Sequence, residues 1–371
     1  MFRLSDLRLC NFKAFKRAHV RFRPITVLIG PNSSGKSTII QAMLLLKQTL
    51  AKAIVDNVPL ALTGLHNFGD FEALVFKGER EISVELILGG SESYFFTVRG
   101  SMQRVSFDLV EVKINGREVD RRKRLGFLVE HPIAKDVEDS FKSVYYLGPL
   151  RQEPKPVYEV KGEPFEWIGS KGEKTVDVLV MREEVKEAVG KWLVSQGLAK
   201  LSSGRRKKVG LDVVNLRKGT EAYSVYLYDA KTGWKVNFNE VGFGYSQLLP
   251  ILVGALAVKS GSLIMLEQPE IHLNPSIIPK LVEFFVEQSR EKSFLIETHS
   301  EVLLLKLQAM VAEGLVSKDD VAVYYTERTP SGSKIRLVDL RDSGEFEDWP
   351  EGFFMDRAAL VYERYKALMS A

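Results

Sequence analysis

ITVLIGPNSSGKST, residues 25–38, is the stretch from which the fold is read. Ile25 to Ile29 form a short continuous apolar run, the pattern of a strand buried on both faces. Gly30, Gly35, Lys36 and Ser37 follow in the G-x-x-x-x-G-K-[ST] spacing, and apolar periodicity then predicts a helix near 36–50. Strand, glycine-rich turn and helix, in that order, is the context in which this spacing binds phosphate. Glycines let the backbone of Gly30, Pro31, Asn32, Ser33, Ser34 and Gly35 wrap a phosphate chain. Amides at the helix start, from Lys36 to Thr38, donate to its oxygens, Lys36 reaches the terminal oxygens, and the Ser37 hydroxyl can ligate Mg²⁺. A chance match in a chain of this length occurs about once in a hundred.

Composition sets the outer bounds. The chain has 371 residues, 45% of them apolar and 10% aromatic, enough to bury a substantial core. Its 52 basic and 48 acidic residues leave a net charge of +4, too near balance to imply a nucleic-acid partner by itself. Cys10 is the one cysteine, so an internal disulfide is impossible and an intracellular compartment is expected. The opening MFRLSDLRLC alternates like a strand and lacks an apolar signal core, and no run is long enough to span a membrane; a soluble cytoplasmic protein is expected. Many charged residues with few Asn and Gln point weakly to a heat-adapted source.

Residues 2–10 also read as a strand. From about 70 to 147, EISVELIL, SYFFTVRG and SVYYLG predict an antiparallel β region. Residues 171–200 read as an amphipathic helix with Glu-Lys pairs, a small insertion, and SSGRRKKVG (202–210) as a basic loop. After Asn239 helices at 245–259, 276–289 and 301–313 alternate with the strands GSLIML, SFLIE and DVAVYY, which implies a parallel sheet with crossover helices. The expected organisation is an N-terminal lobe (1–155) with the phosphate loop and the antiparallel region, a helical and basic-loop insertion (156–215), and a C-terminal lobe (216–371). Both ends of the chain would build one α/β core.

Three stretches of the C-terminal lobe add to the phosphate site. LIMLEQPEIHLNPS (263–276) ends an apolar strand at Glu267, where a carboxylate can hold the water shell of Mg²⁺. FLIETHSEVLL places Thr298, His299 and Ser300 just past another apolar strand, on the same predicted sheet edge as the phosphate loop, so His299 is a candidate contact to the terminal phosphate. NEVGFGYSQLLPILVGAL puts Gly242 and Gly244 at a helix start whose amides suit an anion.

Together, in this order, these motifs resemble the ABC-type ATPase family, in the branch of the Rad50, SMC and OLD-nuclease heads. LCNFKAF, YYLGPLRQEP (145–154), VGFGYSQLLP, EQPEIHLNP, ETHSEVLL and WPEGFFMDR extend the resemblance over nearly the whole chain. It is nearest to short AAA-type ATPases with a C-terminal domain of unknown function, in which EQPE replaces DEPE. The resemblance implies that two protomers sandwich two ATP molecules with Mg²⁺, each nucleotide meeting the Walker motifs of one subunit and the signature loop of the other. Gly242 to Gln247 would then contact the partner's γ-phosphate, with Gly242 aligned on the signature serine, Gly244 as the close-approach glycine and Ser246 as a substitute hydroxyl. Glu267 takes the magnesium-water position and Gln268 the position of the catalytic Glu. Gln accepts no proton but can orient water. Glu270 is the remaining carboxylate that can act as general base; a capping or ion-pairing role near the next helix is the alternative. His272 reads as structural. Gln152 is a candidate γ-phosphate sensor, and Arg151 beside it either a phosphate contact or an ordinary surface residue.

Two basic clusters, Arg117 with Arg121 to Arg124, and Arg205 to Lys208, are candidate DNA contacts or plain solvated loops. No heptad run provides a coiled-coil arm, and no Glu plus Asp-x-Asp cluster follows His299, so any nuclease would be a companion chain. The expectation is an ATPase that hydrolyses slowly, dimerises around ATP and acts on DNA or a companion effector protein. The alternative is a nucleotide-sensing module with negligible hydrolysis, and Gln268 separates the two.

Overall fold

The computed structural model describes residues 2–100, 107–162, 167–202, 209–217, 219–349 and 365–366. In chain order, β1 (Leu4–Phe12), β2 (Phe15–Arg21) and β3 (Ile25–Ile29) lead into α1 (Lys36–Asp56). The strands β4 (Glu81–Leu88), β5 (Glu92–Gly100), β6 (Phe107–Ile114), β7 (Arg117–Glu118), β8 (Arg124–Leu125) and β9 (Leu128–Val129) precede α2 (Pro132–Lys142). Then come β10 (Val144–Leu147), β11 (Tyr158–Glu159), α3 (Thr175–Met181), α4 (Glu183–Ser195), β12 (Leu211–Asn215), β13 (Ala222–Tyr228) and β14 (Lys235–Asn237). The alternating run is α5 (Phe243–Ala257), β15 (Leu263–Glu267), α6 (Ile278–Gln288), β16 (Ser293–Glu297), α7 (Glu301–Ala312) and β17 (Val321–Thr329), closed by β18 (Gly332–Val338). The architecture is α/β, and the chain forms two compact units, one of residues 2–142 with 297–371 and one of 143–296.

In the first unit the strand order is β3-β17-β18-β2-β1-β4-β5-β6-β7. β3 and β17 are parallel, from Ile25 beside Val321 to Ile29 beside Tyr325, so the two ends of the chain do meet in one sheet. All five residues of β3 are buried, as its unbroken apolar run requires. β4 instead alternates: Ile82, Val84, Leu86 and Leu88 are buried while Glu81, Ser83, Glu85 and Ile87 are half-exposed, the mark of an antiparallel strand with one wet face. The first helix runs further than the periodicity predicts, to Asp56, and stops at Asn57 in the left-handed conformation with φ 45°.

In the second unit β10 and β15 are parallel from Val144 beside Leu263 to Leu147 beside Leu266, and β16 follows in the order β10-β15-β16. A separate antiparallel sheet is built from β11, β13, β12 and β14. The predicted helix over 171–200 is two helices. Arg182, at φ −125° and ψ 89°, breaks it, and its guanidinium donates to the carbonyl of Ala257 at the end of α5.

Gly254 in α5 lies under Trp167 and Ile168: a Cβ there would stand 2.6 Å from the indole and 2.9 Å from the Ile168 Cδ1. The indole is itself fixed, because Trp167 Nε1 donates to the Tyr146 carbonyl at 2.8 Å. Ala gains about 1 kcal/mol of helix propensity over Gly, but overpacking costs about 1–3 kcal/mol. Gly254→Ala should therefore be destabilising by up to about 2 kcal/mol, read from urea unfolding; a variant as stable as the wild type would show that Trp167 yields.

Candidate functional site

The phosphate loop lies in the first unit between β3 and α1. Gly30 has φ 141°, and a Cβ there would be 2.2 Å from the Thr326 carbonyl oxygen, so only glycine fits. Gly35, at φ 107°, caps α1 with the Phe15 ring 3.0 Å from its Cβ position. Ser33 also takes a left-handed backbone, with φ 60°. No side chain caps α1 and no acidic residue stands in its first turn; the Thr38 amide donates to the Gly35 carbonyl at 3.0 Å, and the amides before it suit an anion.

The loop side chains divide by exposure. Pro31, Asn32 and Ser33 are exposed, Ser37 is half-buried, and Ser34 and Thr38 are buried. Ser34 Oγ and Thr326 Oγ1 share a hydrogen bond of 2.5 Å, which ties the loop to β17. Lys36 is 4% exposed, and its Nζ donates to the carbonyls of Gly30 at 3.0 Å and Pro31 at 2.8 Å. Burial lowers the pKa of this ammonium, and the charge of Glu297 works against the shift.

Glu297, at the end of β16, is 4% exposed and belongs to the same unit as the loop. Sequence reasoning missed it, although it is the carboxylate that ends SFLIE. Beyond it the Thr298 amide donates to the Leu28 carbonyl at 3.1 Å, fixing this segment beside β3. The Ser300 hydroxyl caps α7 by accepting from the Leu303 amide at 3.2 Å. His299 is half-buried between these anchors, and the Lys36 charge reaches it.

The second unit holds Glu267, Gln268, Glu270 and the start of α5. Glu267 is half-buried and its Oε1 accepts from the Tyr146 hydroxyl at 2.8 Å. Gln268 takes φ 46°, and the turn closes with the Ile271 amide donating to its carbonyl at 3.1 Å. Arg151 is 6% exposed rather than a surface residue. It donates to the Glu267 carbonyl at 3.1 Å and to that of Gln268 at 3.3 Å. Burial pulls its pKa down to about 10, opposed by Glu270 first and then Tyr146, so the guanidinium keeps its charge at neutral pH. Gln152 is half-buried and its amide donates to Lys171.

His272 packs edge-on against Phe243, 5.0 Å between ring centres, at the first residue of α5. Its carbonyl lies 3.0 Å from where a Gly244 Cβ would stand, so the close approach at Gly244 is to this chain's own turn. A Cβ on Gly242 would meet nothing within 4 Å. Ser246 is buried, and its hydroxyl donates to the Phe243 carbonyl at 2.6 Å.

Of the basic clusters, Arg205 to Lys208 lie outside the described residues. In the other, Arg122 pairs with Asp120, Lys123 with Glu130 and Arg121 with Glu118, while Arg124 donates to the carbonyls of Asn57 and Gly126. Its charge is therefore largely answered nearby. Among the described residues no group of three or more His, Cys, Asp or Glu can hold a metal, and no helix is long and apolar enough to cross a membrane.

Comparison with known proteins finds AAA models in two segments of the chain. An AAA ATPase domain model matches residues 2–103, and a model described as an AAA domain, putative AbiEii toxin, Type IV TA system, matches 170–305. The chain carries two AAA ATPase segments on an SMC-head-like fold. A model of a protein of unknown function, DUF3696, matches residues 316–358 of this ATPase. The fold is similar to the SMC head bound to the C-terminal winged-helix domain of ScpA, at 14% identity and TM-score 0.56, covering 92% of this chain and 99% of that one. The Thermotoga maritima SMC head gives 16% identity and TM-score 0.52, with 91% and 100% covered. The Pyrococcus furiosus Smc head with an extended coiled coil, bound to the C-terminal domain of ScpA, gives 11% and 0.51, with 99% and 100% covered. A search of curated proteins returned no match.

Burial, and secondarily the Lys36 charge, hold the His299 ring of this ATPase below its ordinary pKa of 6.5. The folded ring stays neutral where an unfolded histidine takes up its proton. The resulting stability is complete above pH 6.5 and is lost as pH falls through the folded value. His299→Asn should therefore lose less stability than the wild type between about pH 7.5 and about pH 5.5. Urea midpoints at the two pH values measure this, and equal losses would count against it.

Proposed function

We propose that this ATPase binds ATP with Mg²⁺, dimerises around it and hydrolyses it slowly to drive a partner. The phosphate loop carries the reading: Gly30 admits no side chain, and a buried Lys36 is held over the loop by the loop's own carbonyls. Such a cradle, with no side chain capping the start of α1, suits a polyphosphate. By the order of the motifs in the sequence, Ser37 and Glu267 are the oxygen donors for Mg²⁺, which is normally bound by one or two carboxylates plus phosphate oxygens and water. Mg²⁺ there would neutralise charge on the phosphoryl oxygens.

Within this reading Lys36 and His299 stabilise the terminal phosphate, Gln268 orients the attacking water through its amide, and Glu270 takes the proton. The slow rate follows from Gln268, which cannot serve as the base itself. That same amide favours the second reading, a nucleotide sensor with negligible turnover. Gly242, Gly244 and Ser246 at the start of α5 form the surface offered to the partner's γ-phosphate. SMC heads in the solved structures carry bound ScpA domains; a companion effector protein or DNA is the corresponding partner here, in a cytoplasmic repair or defence role.

Phosphate release with Mg²⁺ should vanish in Lys36→Ala. Glu270→Gln should slow it by about 100-fold or more, and Gln268→Ala by less. The reverse order would remove Glu270 as the base, and no release above buffer from the wild type would leave the sensor.

Light scattering after gel filtration should show the mass doubling with ATP and Mg²⁺ in Glu270→Gln and not in Lys36→Ala. A monomer in both would exclude the sandwich. A gel shift with duplex DNA, with and without ATP and over a salt series, should show retention that weakens as salt rises; none at low salt would leave the effector protein as the partner.

A further inference from the structure

The strand β10 and the turn after it, YYLGPLRQEP, contribute two side chains to one short segment of backbone. Tyr146 lies beside Met265 in the parallel β10–β15 register, and its hydroxyl reaches along the pair to the Glu267 carboxylate at 2.8 Å. The chain then turns at Gly148 and Pro149 and runs beside residues 170–171: the Gly148 amide donates to Ser170 at 2.8 Å and the Gln152 amide to Lys171 at 2.8 Å. That anchorage brings Arg151 back onto the C-terminal end of β15. Its guanidinium spans two consecutive carbonyls, with Nη2 on Glu267 at 3.1 Å and on Gln268 at 3.3 Å, and Nη1 on Gln268 at 3.4 Å.

Between those carbonyls the backbone makes an unfavourable turn. Gln268 sits at φ 46°, a region a Gln rarely occupies and one that persists only where the surroundings hold it. A planar fork meets two carbonyls at once, which a point-like ammonium does not. We propose that Arg151 and Tyr146 are positioning residues for ATP hydrolysis, the first fixing the backbone of Glu267 and Gln268 and the second fixing the Glu267 carboxylate. Neither touches nucleotide. They set where the side chains at 267, 268 and 270 begin, and displacements of about 1 Å in such groups cost about 100-fold in rate. The inference rests on the proposed roles of Glu267, Gln268 and Glu270.

The test uses the full chain with Arg151→Lys, Arg151→Ala, Tyr146→Phe and Glu267→Gln, measuring ATP affinity, kcat, KM, Mg²⁺ dependence and melting temperature. Arg151→Lys should keep KM and melting temperature near the wild type while kcat falls about 10- to 100-fold, the scale on which supporting partners act. Guanidinium ion at about 10 mM should recover part of the kcat of Arg151→Ala, because it returns the fork without the tether. Tyr146→Phe should raise the Mg²⁺ needed for half-maximal rate about tenfold. Wild-type kcat in Arg151→Lys overturns the proposal. So does a loss that follows the melting temperature in every variant and is not rescued by guanidinium, which is the signature of mere support. Glu267→Gln separates the two levels. If it is inactive while Arg151→Lys is fully active, only the positioning inference has failed; if it retains wild-type kcat, the reading of the turn has failed and takes the inference with it.

Discussion

A Cβ on residue 30 would collide with the backbone of Thr326, and the Thr326 hydroxyl at the same point holds Ser34 of the loop and donates to the Ile29 carbonyl at 3.2 Å. The phosphate loop is therefore shaped against a strand from the far end of the chain, at a sequence separation of 292 from Ser34 to Thr326. Its glycine is needed before any nucleotide is considered, because β17 must lie against it. It follows that the loop takes this shape only once β3 and β17 have paired. A contact of such sequence separation is slow to form, although the extra loop entropy grows only logarithmically with length. A ligand that bound only the paired state would stabilise the junction of the two chain ends.

Each unit buries a cation within reach of a carboxylate: Lys36 with Glu297 in the first, Arg151 with Glu270 in the second. In both, burial disfavours the charge and the carboxylate opposes that shift. Backbone carbonyls supply the remaining compensation, two for Lys36 and two for Arg151. The arrangements differ in what can replace those carbonyls. The Lys36 partners lie in the loop proposed to cradle phosphate, where its ammonium would exchange carbonyl for phosphate oxygen without first being stripped of water. The Arg151 partners belong to a turn that must keep its shape, so their exchange would undo the turn.

What could be read from sequence were elements whose cause is local. The buried run of β3, the glycine spacing, the period-2 pattern of EISVELIL and the alternation after Asn239 each carry their reason within a few residues, and the strands and helices stand where those reasons put them. What could not be read were features whose partner is remote. A continuous apolar and Glu-Lys pattern across 171–200 gives no sign that Arg182 will turn away to the end of α5. Arg151 is followed by Gln-Glu-Pro, a surface-like context, yet it is buried because the strand pairing of β10 with β15 carries it there. Nothing around Glu297 in the sequence marks it, because its partner, the Lys36 charge, is remote along the chain.

The start of α5 shows how a glycine pair can have two separate causes. Gly244 is explained inside the chain, since the carbonyl of His272 leaves no comfortable room for a side chain and the Phe243–His272 ring contact fixes that approach. Gly242 has no such explanation among the described residues: its φ of −46° is open to other residues, and a Cβ would meet nothing within 4 Å. A serine would fit there as well as glycine. The steric demand at Gly244 therefore comes from the residues just after the turn that carries Glu267 to Glu270, while a Cβ at Gly242 would stand in open space. Phe243, the first residue of α5, rests on His272, four residues beyond Gln268. The helix start and the turn at Gln268 are thus joined by one packed ring contact within a single unit.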